Sequence, residues 1–95
     1  MDKQTILTAA VELAKTCGYR DVFKRNVATV LGCGMGTVNY HWGTMDALRK
    51  AIVIEALGTG CRQIVAQAVA LRDPIVKREN LSHGQRAKLD ALGIV

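Results

Sequence analysis

The sequence predicts an all-α protein: a three-helix helix-turn-helix domain followed by further C-terminal helices for dimerisation. Apolar residues recur every three or four positions over most of the 95 residues, as they do on the buried face of a helix. Glycines stand where most of these segments end. No segment shows the alternation of apolar and polar residues that is typical of a half-buried strand.

The first two helices are predicted from their apolar faces and their glycine ends. The first covers residues 3–16, and Gly18 supplies its stop. The second covers about residues 24–31, with Asp21 as its candidate N-cap and Gly32 as its end. The inward-facing residues that define these two faces are Ile6, Leu7, Ala10, Val11, Ala14, Cys17, Val27, Ala28 and Leu31.

A glycine-rich turn, Gly32-Cys33-Gly34, separates the second helix from a short third one. It is too short for a strand, and we expect its backbone to adopt conformations that side chains resist. The third helix then runs from Met35 to position 41 or 42. There Trp42 is expected to be a core residue that seals this helix onto the fourth.

The remaining helices are predicted from caps and breaks. Thr44 opens a fourth helix that is apolar on more than one face, so we expect it to be covered on two sides. Gly58-Thr59-Gly60 weakens it, and a second clean apolar stripe covers residues 61–71. Asp73-Pro74 interrupts that stripe. The Ser82-x-x-Gln85 spacing predicts a capping box and a last helix. We expect two parts of the chain: a DNA-binding unit with its linking helix at residues 1–57, and a short helical dimerisation segment and tail at 58–95.

Charge and cysteine content narrow the class of protein. Thirteen Lys and Arg against eight Asp and Glu give a formal charge of +5, which favours a polyanionic partner.

Cys17, Cys33 and Cys61 form no Cys-x-x-Cys pair, so we expect buried free thiols. His41 and His83 have no third metal ligand at suitable spacing, so no metal is expected. The start of the chain lacks a secretory signal, so we expect a cytoplasmic protein without a membrane segment.

Two short helices joined by a glycine turn form a helix-turn-helix, whose second helix fits the DNA major groove. The third helix carries side chains suited to that groove. Thr37 offers a hydroxyl and a methyl group, and Asn39 offers an amide that matches adenine. Tyr40 and His41 offer groups suited to phosphate oxygens.

These residues also resemble the N-terminal DNA-binding domain of the tetracycline-repressor (TetR) family. The resemblance covers about residues 4–57 and depends mainly on the Gly-Thr-x-x-x-His-aromatic run at 36–42. It implies three helices that bind DNA and a fourth that links them to a helical, dimerising domain. Residues with matching positions are Glu12-Leu13, Gly18-Tyr19, Val27-Ala28, Leu31-Gly32 and Leu48. The residues that the resemblance assigns to DNA are Lys24, Arg25, Met35, Gly36, Thr37, Asn39, Tyr40, His41 and Thr44.

The chain departs from the family pattern in ways that carry expectations. Gly34 stands where a serine cap is common, so the third helix begins less firmly. Met35 replaces a polar residue, which favours contact with a thymine methyl over a hydrogen bond, and Asn39 stands where an aromatic is usual. Only residues 58–95 remain where the family has its effector domain, so we expect no enclosed pocket for a small-molecule effector.

The sequence therefore predicts a sequence-specific transcription regulator, a repressor that binds a palindromic operator as a homodimer. No catalytic constellation or cofactor motif is present, so we expect neither an enzyme nor a cofactor. The alternative is a helix-turn-helix module that holds another protein, or a DNA-packaging or replication accessory without operator specificity. The residues predicted to form the dimer contact are Ile54, Cys61, Ile64, Val65, Ala68 and Leu71.

Overall fold

The computed structural model describes residues 1–94, which form six α-helices and no strand. The predicted all-α class is therefore confirmed. None of the helices in these residues combines the length and apolar character needed to cross a bilayer. Short 3-10 turns lie at Tyr19–Asp21, Pro74–Val76 and Arg78–Asn80. The helices are α1 (Lys3–Cys17), α2 (Lys24–Leu31), α3 (Met35–His41), α4 (Met45–Thr59), α5 (Arg62–Ala70) and α6 (His83–Ala91).

The chain forms two compact units, Met1–Ile52 and a second that begins at Val53. The division falls inside α4, whereas the sequence places it after residue 57. Gly58 lies within α4 and does not end it. One glycine in a helix costs only about 1 kcal/mol, which the apolar burial of this helix outweighs.

α1 supplies much of the core of the first unit. Asp2 caps the helix, since its carboxylate accepts a hydrogen bond from the Thr5 amide at 2.8 Å. The helix ends as predicted, where the Gly18 amide donates to the Ala14 carbonyl at 2.9 Å. Tyr19 follows at once and is 1% exposed, so this aromatic belongs to the core. The other fully or almost fully buried residues of this unit are Ile6, Ala10, Ala14, Val22, Val27, Val38, Leu48 and Ile52.

The start of α2 differs from the prediction. Its N-cap position is Phe23, which provides no side-chain hydrogen bond, so the predicted cap at Asp21 is wrong. Asp21 is instead the last residue of a 3-10 turn, where its amide donates to the Gly18 carbonyl at 3.1 Å. The bounds of α2 and the start of α3 at Met35 are as predicted.

In the second unit, α6 is fixed by the predicted capping box. The Ser82 hydroxyl accepts from the Gln85 amide at 3.2 Å, and the Gln85 side chain accepts from the Ser82 amide at 2.8 Å. Asp73 and Pro74 end the preceding segment, and the Asp73 carboxylate accepts from the Ile75 amide at 3.0 Å. The predicted break at Asp73-Pro74 is therefore confirmed.

The apolar stripe of α5 is core and not a free contact surface. Ile64, Val65 and Ala68 are all 0% exposed within the single chain. The prediction that these three residues form the dimer contact is therefore wrong, since a partner has no access to them in this fold. Ile54 and Cys61 are half-buried, and Leu71 is 53% exposed. A helical stripe shows which face is covered, but it does not show whether the cover comes from the same chain.

All three cysteines are free, as predicted, but they are not buried. Cys17 is exposed, and Cys33 and Cys61 are half-buried. The Cys17 thiol lies at the end of α1, where its Sγ is 3.2 Å from the Leu13 carbonyl oxygen. The expectation of buried thiols is therefore corrected, because each cysteine stands at the end of a helix or in the turn that follows it.

Candidate nucleic-acid interface

α2 and α3 form a helix-turn-helix joined by the three-residue turn 32–34. Gly32 adopts the left-handed conformation at φ 67° and ψ 31°. This conformation lets the Cys33 amide donate back to the Ala28 carbonyl at 3.0 Å, which closes α2 with a Schellman motif. Gly34 is extended, with φ −80° and ψ 158°, so only the first of the two glycines needs a conformation that side chains resist.

One face of α3 packs against the core and the other is open. Val38 of α3 is fully buried, Val27 and Ala28 of α2 are also buried, and the two helices pack against each other. On the opposite face Tyr40 is 84% exposed and Asn39 is exposed. α3 therefore presents polar side chains while its apolar face is held by α2.

Of the other residues predicted to contact DNA from α3, two are exposed and two are half-buried. Gly36 is exposed and Met35 is 47% exposed, whereas Thr37 and His41 are half-buried. The His41 ring meets the Tyr40 ring edge-on, with ring centroids 5.0 Å apart and an interplanar angle of 87°. Thr37 is therefore less open than the sequence suggests, while the centre of the face is the pair Asn39 and Tyr40.

Trp42 anchors the end of α3 to the start of α1. Its indole Nε1 donates to the Lys3 carbonyl at 3.2 Å, and the Lys3 ammonium lies 4.4 Å from the centre of a Trp42 ring. Trp42 itself is half-buried. Its predicted role as a core seal between α3 and α4 is therefore corrected, because its hydrogen bond and cation-π contact are both made with Lys3.

Lys24 and Thr44 both stand at helix N-termini, as predicted. The Lys24 ammonium donates to the Gly43 carbonyl at 3.0 Å, which ties the start of α2 to the loop after α3. The Thr44 hydroxyl oxygen accepts from the Ala47 amide at 3.1 Å and so caps α4. Each side chain thus has a structural contact, and each keeps further hydrogen-bonding capacity for a phosphate.

The charge around α3 favours an anion. Arg25 is exposed on α2, and its side chain has no hydrogen-bond or ion-pair partner within residues 1–94. Residues 22–45 contain no Asp or Glu. Asp2, at the start of α1, is an acid close enough to His41 to interact with it electrostatically. Hydrogen bonds from the Thr5 side chain and then its amide hold the pKa of Asp2 below its ordinary value, so this cap is ionised at neutral pH.

Sequence reasoning missed two residues beside this surface. Phe23 is 48% exposed immediately before α2, and the Arg49 guanidinium carbon lies 5.6 Å from the centre of its ring. Within residues 1–94 the Nε of Arg49 is buried without a hydrogen-bond partner, while its Nη1 lies 3.9 Å from a carboxylate oxygen of Asp46. From the sequence alone, the Arg49-Lys50 pair is expected to be ordinary solvated charge. The signal that points to Phe23 is the grouping of all four aromatics between positions 19 and 42.

Comparison with known proteins adds no assignment. No family model, curated protein or solved structure matches the chain. The likeness to the tetracycline-repressor family therefore stays a prediction that depends on the residues of α1 to α4.

Proposed function

We propose that this chain is a sequence-specific DNA-binding transcription regulator that acts as a repressor. The observation that carries the proposal is the open face of α3, where Asn39 and Tyr40 are exposed on a helix whose other face is buried against α2. The absence of acidic residues from positions 22–45 and the formal charge of +5 support a polyanionic partner for this face.

The proposed contacts follow from the chemistry of each side chain. The major groove is wide enough for one helix, and there the Asn39 amide matches the paired acceptor and donor of adenine. Tyr40 and Arg25 are exposed and reach outward to base edges or phosphates. Lys24, His41 and Thr44 then hold the phosphates that flank the groove and set the register of the helix.

The proposed operator is palindromic, because a two-fold homodimer presents two recognition helices to two half-sites. Their centres lie about 34 Å apart or at a multiple of that distance. Three residues of the predicted dimer contact are not fully buried. Leu71 is the most exposed of them, and Ile54 and Cys61 are half-buried. Covering the promoter with such a dimer blocks transcription, which is why we propose repression.

Selection of duplexes from a random pool, followed by binding at increasing salt, tests this proposal. We expect the selected duplex to bind about a thousandfold or more tighter than a scrambled one near physiological salt. Sedimentation is expected to show a dimer at micromolar concentration. Equal affinity for both duplexes contradicts operator binding and favours the DNA-packaging alternative. Negligible affinity for either favours a protein-binding module.

A further inference from the structure

The first turns of three helices meet around an open pocket of about 340 Å³ in the first unit. Phe23 directly precedes α2, Met35 begins α3 and Met45 begins α4. The pocket is thus built from the same helix starts that carry the proposed DNA contacts. The residues that line it are Phe23, Lys24, Arg25, Met35 and Met45.

Three of the five residues that line the pocket are apolar. Phe23 is 48% exposed and Met35 is 47% exposed, while Met45 is half-buried. The Arg49 guanidinium carbon lies 5.6 Å from the centre of the Phe23 ring, in a cation-π contact. Methionine side chains adapt to the shape of the group that they contact, so this wall can pack around a small apolar group of a larger ligand.

The rim of the pocket is cationic. Lys24 and Arg25 both line it, and none of the acidic residues within positions 1–94 does. Charge complementarity therefore favours an occupant that joins a small apolar group to an anionic backbone. Duplex DNA has this combination in the major groove, where the 5-methyl of thymine is the apolar group that distinguishes the bases and phosphates lie along both edges.

We propose that the pocket formed by Phe23, Met35 and Met45 receives the 5-methyl group of a thymine, so that each half-site of the operator carries thymine at one fixed position. Lys24 and Arg25 hold a phosphate close to that nucleotide. The inference rests on the proposed function, and it names the base that this side of the interface reads.

Replacement of thymine by uracil tests the inference, because it removes the methyl group and leaves the hydrogen-bonding edge unchanged. In the selected duplex, each thymine is replaced singly and the affinity of the full-length chain is measured. We expect one thymine per half-site whose replacement weakens binding about threefold to fivefold, as burial of one methyl group implies. The same replacement is expected to have a smaller effect on Met35→Gln, which keeps only Phe23 and Met45 as apolar walls.

A matched control is Val30→Gln, which changes an apolar side chain that is 59% exposed on α2 but does not line the pocket. We expect this variant to keep the full uracil effect. Circular dichroism is measured for both variants, and we expect each to retain the helical content of the wild type, so that a reduced uracil effect reflects the pocket.

The outcomes separate the inference from the proposed function. A selected duplex that is bound specifically, but at which no uracil replacement matters, overturns the thymine pocket and leaves the regulator standing. A uracil effect that is undiminished in Met35→Gln places the methyl group elsewhere and also overturns the thymine pocket. Loss of self-association in Met35→Gln, with unchanged uracil sensitivity, assigns the pocket to a second copy of the chain and contradicts the inference. If no duplex is preferred, both the thymine pocket and the proposed sequence-specific regulator are contradicted.

Discussion

The Lys24 ammonium lies 3.0 Å from the Gly43 carbonyl oxygen, so a side chain at the start of α2 holds the loop that follows α3. A helix of seven residues is too short to be stable by itself. Its position is therefore set from outside: by the Gly32 turn before it, and by Lys24 and Trp42 at its end. The orientation of the exposed Asn39 and Tyr40 depends on these three features together with the packing of α3 against α2.

Replacement of Lys24 by alanine is expected to lower stability and weaken DNA binding together. Because this hydrogen bond is exposed to solvent, its loss costs about 0.5 to 1.5 kcal/mol in the free energy of unfolding, the range of an ordinary hydrogen bond. Because the side chain also holds a phosphate in the proposed complex, affinity falls about equally for selected and scrambled duplexes, and the salt dependence becomes shallower. Urea denaturation and binding at several salt concentrations measure the two effects.

The control for this variant is Lys77→Ala, which removes the same charge from an exposed residue whose side chain has no partner within residues 1–94. We expect its stability to match that of the wild type. Equal destabilisation by the two variants contradicts the structural role of the contact between Lys24 and Gly43.

Arg25→Ala and Arg62→Ala separate a local DNA contact from general charge. Both residues are exposed arginines, and each variant loses one positive charge. Arg25 borders α3, whereas Arg62 lies on α5, which carries no proposed DNA contact. We expect Arg25→Ala to weaken binding to the selected duplex by about 1 to 3 kcal/mol, or roughly 5- to 150-fold. The loss from Arg62→Ala should be about twofold or less, and comparable losses from both variants count against a base or phosphate contact at Arg25.

The two glycines of the turn are expected to respond differently to alanine. Gly32 has φ 67°, so Gly32→Ala places a side chain in the left-handed region and costs about 1 kcal/mol or slightly more. Gly34 has φ −80°, and an added Cβ meets no atom within 4 Å, so Gly34→Ala changes stability by less than about 0.5 kcal/mol. Thermal unfolding of the two variants measures this difference, and equal losses contradict the turn geometry.

The bounds of α2 and the start of α3 could be predicted because local signals agree there. Gly32 ends one helix, and Met35 begins another after a turn too short for anything else. The Ser82-Gln85 capping box was predictable for the same reason, since both of its bonds lie within four residues. Signals of this kind are properties of the chain itself and need no tertiary contact.

What could not be predicted depends on tertiary packing. The stripe containing Ile64, Val65 and Ala68 predicts a buried face, but the partner that buries it is the rest of the same chain. The pairing of Trp42 with Lys3 joins positions 39 residues apart, and no local pattern reports it. The pocket at Phe23 is hidden for the same reason, because its walls come from three separate helix starts.

The pair formed by Arg78 and Asp90 is expected to make stability depend on pH in the acid range. The Arg78 guanidinium donates to both Asp90 oxygens, at 2.6 and 3.1 Å, and these hydrogen bonds hold the pKa of Asp90 below its ordinary value. A lowered folded-state pKa stabilises the fold above the unfolded-state pKa, and that contribution is lost as the pH falls through the folded-state value. The loss therefore begins below about pH 4.

Asp90→Asn provides the comparison for this pair. We expect the variant to be less stable than the wild type near neutral pH, and the two proteins to converge as Asp90 is protonated. Chemical denaturation at a series of pH values measures both curves. Parallel curves over the whole range indicate that the ion pair contributes nothing to folding.

The most direct test of the proposed interface is the affinity of Asn39→Ala for the selected and scrambled duplexes near physiological salt. Asn39 is exposed and its side chain has no partner within residues 1–94, so its removal should leave the fold intact. We expect affinity for the selected duplex to fall by about 1 to 3 kcal/mol while affinity for the scrambled duplex is unchanged. An unchanged ratio between the two affinities contradicts the claim that the open face of α3 reads DNA.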